Sequence, residues 1–185
     1  MKWRMLIFVV VAGLGAIVAG WVYESSLRPK EKAAELEIPQ DIDYFLTEVD
    51  LRAMNSLGEI DYLLQTPRME HYPHNDVSNL DTPSMQIFAT PDKWLIDSKQ
   101  GRYQHAPNIL HLSDDVVMVR QGQQPLQAYS ERMRFEPDRE RVTSETEILI
   151  VSPMGRIHAE HAIFDLDKQI HRFRNARTVY FNENS

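Results

Sequence analysis

The chain has no cysteine among its 185 residues. That excludes disulfide staples, thiolate metal ligands and a cysteine nucleophile. It also lacks a G-x-x-x-x-G-K-[ST] stretch to cradle nucleotide phosphates, and its one Gly-x-Gly, Gly13-Leu14-Gly15, sits inside an uncharged run rather than at a strand-to-helix turn. No G-x-S-x-G elbow and no H-E-x-x-H occur. Positive charge is scarce: 20 basic residues face 27 acidic ones, a net charge of −7. Phosphate backbones and anionic bilayers are held by basic stripes, so neither nucleic acid nor a polybasic membrane grip suits this chain.

Long apolar runs are scarce too, and the one present is informative. Lys2 and Arg4 precede an uncharged stretch from Met5 to Tyr23, closed by Glu24. As a helix it would span ~28 Å at ~1.5 Å per residue, one bilayer core. The positive-inside rule predicts residues 1–4 in the cytoplasm, a transmembrane helix over 5–23, and everything beyond Glu24 on the far side. A cleaved signal peptide ending near Ile17-Val18-Ala19 is the competing reading. Retention is favoured by a run longer than the usual ~7–15-residue apolar core of a signal peptide. It is also favoured by Trp3 and the Trp21/Tyr23 pair at its two ends. Ala12, Ala16 and Gly20 recur every fourth residue, a small-residue face that lets another helix approach closely. Without Lys2 and Arg4, the only charges before Glu24, 18 basic residues remain against 27 acidic, a net −9.

Residues 24–43 read as a charged linker bounded by Pro29 and Pro39, either a flexible tether or a tether with one helical turn over 30–36. From Tyr44 to the end the period is two, one all-β domain over 44–185. Phe45, Thr47, Val49, Leu51 and Ala53 alternate with Leu46, Glu48, Asp50, Arg52 and Met54, which predicts a half-buried strand with the first set inward. Asn55-Ser56-Leu57-Gly58 predicts a turn, and Ile60, Tyr62 and Leu64 predict the returning strand. A faint repeat of about 30 residues follows. The stretches 96–103, 128–135 and 157–164 each begin apolar and end aromatic. Each then meets a turn (106–108, 137–139, 165–168) and returns as a β-rich run. A looser copy is 65–72 with its turn at 73–75. Stacked hairpins make an all-β architecture. The runs Val116–Val119 and Ile148–Val151 are continuously apolar, and period two does not say which of their residues face inward.

Candidate chemistry is sparse. His158 and His161 stand three apart, which on a strand puts them on opposite faces, and His71 and His74 flank Pro73 at a turn. No metal site is expected from these spacings, and no carboxylate pair marks a cleft. The expectation is a non-enzymatic domain without a cofactor.

The ordered set of features resembles the LptC family, the single-span inner-membrane component of lipopolysaccharide export. The features are the basic start and single span, the 44–64 hairpin carrying Asn55-Ser56-Leu57-Gly58, Tyr72, Leu80-Asp81-Thr82-Pro83, Trp94-Leu95-Ile96, Leu110-His111-Leu112, Val116–Val119, Val142-Thr143-Ser144-Glu145 and Pro153-Met154-Gly155. No one of these is specific; their order over nearly the whole chain is. The resemblance implies a twisted β-jellyroll of two antiparallel sheets, open along one side, with acyl chains of lipopolysaccharide between the sheets. A groove of that kind needs inward apolar residues from many strands. The expected lining is Val49, Leu51, Ile60, Tyr62, Leu80, Ile87, Trp94, Ile96, Leu110, Leu112, Met133, Phe135, Ile157, Phe164 and Phe173, about half of it closed core. The resemblance further implies head-to-tail docking of sheet edges, with lipid received from an LptF/LptG/LptB ABC transporter and passed to periplasmic LptA. Candidate partner contacts are Val179 and Phe181 at one edge, Gly58 and Gly155 as matches to family glycines, and Ala12, Ala16 and Gly20 toward transporter helices. The location implied is the inner membrane, single-pass, with the C-terminal domain in the periplasm. Two other classes stay open: a tethered adaptor that binds only protein, and an extracytoplasmic enzyme with an unfamiliar site.

Overall fold

The computed structural model describes residues 41–122 and 124–181. The expected membrane helix, the linker before residue 41, and Ala12, Ala16 and Gly20 lie outside the described residues. Among the described residues no helix is long and apolar enough to cross a membrane. The described residues form fourteen strands: β1 (Tyr44–Met54), β2 (Ile60–Tyr72), β3 (Val77–Asp81), β4 (Ser84–Ala89), β5 (Asp92–Asp97), β6 (Gln100–Gln104), β7 (Ile109–Gln121), β8 (Leu126–Glu136), β9 (Arg141–Ser144), β10 (Ile148–Ser152), β11 (Gly155–Ala159), β12 (His161–Asp165), β13 (Ile170–Arg174) and β14 (Arg177–Tyr180). Every pairing is antiparallel.

The expectation of two separate sheets is corrected: hydrogen bonding joins all fourteen strands into one sheet. It forms two layers because the long strands serve both. The first half of β2 pairs β4 and its second half pairs β3. The first half of β7 pairs β6 and its second half pairs β5. The first half of β8 pairs β10 and its second half pairs β9. One layer therefore runs β2–β3–β6–β7–β8–β9–β12–β13, and the other β2–β4–β5–β7–β8–β10–β11–β14, with β1 along the outer side of β2. The layers meet face to face: Tyr62 packs edge-on against Phe135 at 5.6 Å, and Trp94 against Phe164 at 6.0 Å.

The crossings from layer to layer are kinks; those in β2 and β8 reset which residues face inward, whereas across the one in β7 Leu110, Leu112, Val116 and Met118 keep the same parity. In β2, Leu64 and Thr66 are buried, then Met69 and His71. The break falls at Pro67, which has no N–H for the ladder. The Thr66 hydroxyl lies 2.8 Å from the Arg68 carbonyl and 2.6 Å from that of Asp81, stapling the bend. Opposite it, Glu48 of β1 has φ +53° and makes no pair. The single inward face expected for β1 is thereby corrected. Val49 and Leu51 line the interior as expected, but before the break it is Tyr44 and Leu46 that do so, while Phe45 carries the Arg68 guanidinium on its ring. In β7 the kink is Asp114-Asp115, both at positive φ, where the register with β8 shifts.

The predicted hairpins are present. Asn55 caps the β1–β2 turn, its side-chain oxygen accepting from the N–H of Leu57 and of Glu59 at 3.0 Å, and Gly58 has φ +79°. The four repeat turns join β2–β3, β6–β7, β8–β9 and β12–β13, all in the first layer. The two ambiguous apolar runs alternate after all: Val116 and Met118, and Ile148 and Ile150, are buried, and their neighbours are half-buried.

Candidate lipid-accepting cavity

Between the layers, beside β1, lies an apolar cavity of about 220 Å³. Tyr44, Leu46, Val49 and Leu51 come from β1, Tyr62, Leu64 and Met69 from β2, and Met85, Tyr103, Leu110 and Phe135 from the strands beyond. His105 and Pro137 complete the rim. Other hollows are larger, about 380 Å³ beside Glu147, His158 and Arg177 and about 460 Å³ beside Arg134, Asp138 and Arg139, but charged groups line them. A hydrocarbon chain gains by leaving water for the first and not for the others.

Two of the three phenols that line the cavity are held neutral by burial. Burial pushes the Tyr62 hydroxyl up to about 12, and burial likewise raises Tyr103. The Tyr103 hydroxyl donates to the Asn108 side chain at 2.7 Å, which satisfies its polar end away from the apolar wall. The cavity is smaller than the ~300–1,000 Å³ of ordinary small-molecule sites. Its volume is enough for only part of one acyl chain, and a larger amphiphile would require the trough to widen or to continue past the open edge.

Of the fifteen residues expected to line a groove, the cavity brings together Val49, Leu51, Tyr62, Leu110 and Phe135. Leu80, Ile87, Trp94, Ile96, Leu112, Met133 and Phe164 are closed core. Ile157 and Phe173 pack half-buried against that core, and Ile60 stands exposed beside the β1–β2 turn. Sequence reasoning missed Tyr44, Leu46, Leu64, Met69, Met85 and Tyr103. Leu64 was visible as an inward position of the hairpin; Tyr44 and Leu46 were hidden by the face reset at Glu48.

The edges carry the other expected contacts. Among the described residues β1 pairs only with β2, β13 only with β12 and β14 only with β11. Leu46, Leu51 and Met54 at the first end, and Ile170, Val179, Tyr180 and Phe181 at the other, are exposed apolar side chains. Gly155 faces Val179 and Tyr180 across the β11–β14 pairing, close enough that a Cβ would meet the Val179 carbonyl oxygen. Gly58 has open space around it.

This arrangement defines a class: two-layer antiparallel β-domains with an apolar interior that opens beside an edge strand paired on one side. Within it, the chain belongs to the family described as lipopolysaccharide-assembly, LptC-related, which matches residues 8–181. Membership ties it to lipopolysaccharide transport. Among solved structures it is similar to LptH of Pseudomonas aeruginosa, the LptA-homologous periplasmic component of that organism's lipopolysaccharide transport device. The TM-score is 0.54 at 10% identity, covering 65% of this chain and 95% of that one. At that identity the likeness is one of fold. No curated protein sequence matches the chain.

Proposed function

We propose that the chain is a non-enzymatic subunit that carries lipopolysaccharide by its acyl chains. It is held at the inner membrane by the Met5–Tyr23 segment, with its β-domain in the periplasm. In this reading it accepts lipid from an LptF/LptG/LptB-type ABC transporter and passes it to an LptA-like domain docked on its sheet edge. The observation that carries the reading is the apolar cavity open beside β1, whose floor is shared by both layers. The exposed apolar residues at both ends of the sheet support edge-to-edge docking.

A photo-crosslinking amino acid tests it in cells. Placed at Leu51 or Tyr62 it is expected to yield lipopolysaccharide adducts; placed at Trp94, which is 2% exposed in closed core, it is not. Protein adducts at Leu51 and Tyr62 with no lipid at either would replace lipid carriage by a purely protein-binding adaptor.

A further inference from the structure

We propose that His71, Asp76 and His105 form a binding site for a divalent transition-metal ion of the zinc type, at the rim of the apolar cavity. Asp76 lies five residues beyond His71, and only His105 is distant in sequence. His71 is the last but one residue of β2, Asp76 is in the turn to β3, and His105 follows β6. The β3–β6 ladder, with Val77 opposite Gln104, brings the last two together, and the His105 N–H donates to the Asp76 carbonyl at 3.2 Å. One donor atom from each of the three side chains lies within 4.8 Å of the others.

Two imidazoles and a carboxylate are an ordinary donor set for zinc, with water in the fourth place. The outer contacts are those of a metal site as well. The Asp43 carboxylate lies 2.7 Å from Nδ1 of His71, which keeps the proton on that nitrogen and turns Nε2 toward Asp76, whose oxygen is 3.3 Å away. A carboxylate holding the far nitrogen of a ligand histidine fixes the tautomer and raises the ligand's basicity. The buried Ser78 hydroxyl is 2.9 Å from Nε2 of His105 and can accept its proton, leaving Nδ1 as the donor atom. Tyr44 stacks on His71 at 4.6 Å, and Tyr103 stands edge-on to His105 at 4.7 Å, so both rings are braced. Ligand atoms ~2.0 Å from a tetrahedral zinc sit roughly 3.3 Å apart. Asp76 and His105 are exposed and close that difference by small side-chain movements.

The ion would tie the start of β1, through Asp43 and Tyr44, to the turn of β2–β3 and the end of β6. Tyr44 and His105 also line the cavity, so the ion would stiffen its rim. The inference is independent of what the cavity holds.

The test is equilibrium dialysis of the untagged, chelator-washed full-length chain in detergent against Zn²⁺. About one equivalent is expected to bind. His105→Ala and Asp76→Asn, both at exposed positions, are each expected to weaken binding at least ~10-fold. Asp43→Asn is expected to weaken it ~10–100-fold, with Tm of the metal-free protein unchanged for the two exposed variants. Zinc should also slow amide exchange over residues 43–47 in the parent chain alone. Uptake below half an equivalent, or undiminished uptake by both exposed variants, would overturn the proposal. The cluster would then be only a histidine bridged between two carboxylates.

Discussion

At Gly155 a Cβ would run into the carbonyl oxygen of Val179, with the Tyr180 Cα behind it at 3.0 Å. Both obstacles are backbone, so β14 must move rather than a side chain. Gly155→Ala is expected to cost about 1–3 kcal/mol, read as a lowered denaturant midpoint, and to speed amide exchange selectively over β14. Gly58 is glycine for another reason. Its φ of +79° suits a residue without a Cβ, and nothing crowds it. Gly58→Arg is therefore expected to cost only about 1 kcal/mol in the isolated domain, so any larger effect on lipopolysaccharide export reports a contact made at that turn. The Tyr62 hydroxyl carries a pH prediction. Its pKa is about 12 in the fold because burial disfavours the phenolate, against the ordinary value of 10. The folded state thus holds the proton to higher pH than the unfolded chain, so stability is intact below pH 10 and drains away toward pH 12. Urea midpoints measured at pH 8 and pH 11 should fall less in Tyr62→Phe than in the parent. The same residue scale shows what spacing hides. His71 and His105 meet because β3 and β6 pair, a long-range event with no local signature, whereas the Asn55–Gly58 turn is written in four adjacent residues.

The edge strands are the elements with work left over. Among the described residues β14 pairs on one side only, and Val179 and Tyr180 project exposed from it. A lysine on an open edge discourages strand addition while leaving the strand's own ladder intact. Val179→Lys is expected to leave the domain's Tm nearly unchanged, since exposed substitutions cost within ~0.5 kcal/mol, and to abolish capture of an LptA-like partner in a pull-down. Retained capture would locate docking at another edge. A strand was readable where alternation was clean, as over Ile60–Leu64, and the inward face was unreadable over Ile148–Val151, where half-buried Leu149 and Val151 face a second surface. β1 was placed but its face was half wrong. A single residue at positive φ reverses every side chain beyond it, and Glu48 looks in sequence like any exposed strand residue.

Over the whole molecule the faint 30-residue repeat has a physical meaning. Hairpins alternate between layers as the chain advances, so each repeat adds one rung to each layer. All-β hairpin character followed from turns and period two. The continuity of the layers did not, because nothing in the composition of β2, β7 or β8 says that one strand will serve two neighbours on the same side. The apolar lining followed only in part, since inward residues of closed core and of an open cavity are chemically alike: Trp94 and Phe135 differ in what faces them, not in kind.

The Thr66 staple and the Asp114-Asp115 kink have a mechanical consequence. Two independent sheets could part like the covers of a book, but layers threaded by the same strands behave as a folded ribbon whose creases are fixed in number. Enlarging the 220 Å³ cavity for a bulky cargo would then be a matter of crease angle, and the crease at Pro67, next to β1, lies between Leu64 and Met69, which line the cavity. The cargo would be admitted by flexing one fold line, with the far end around Trp94 and Phe164 staying shut.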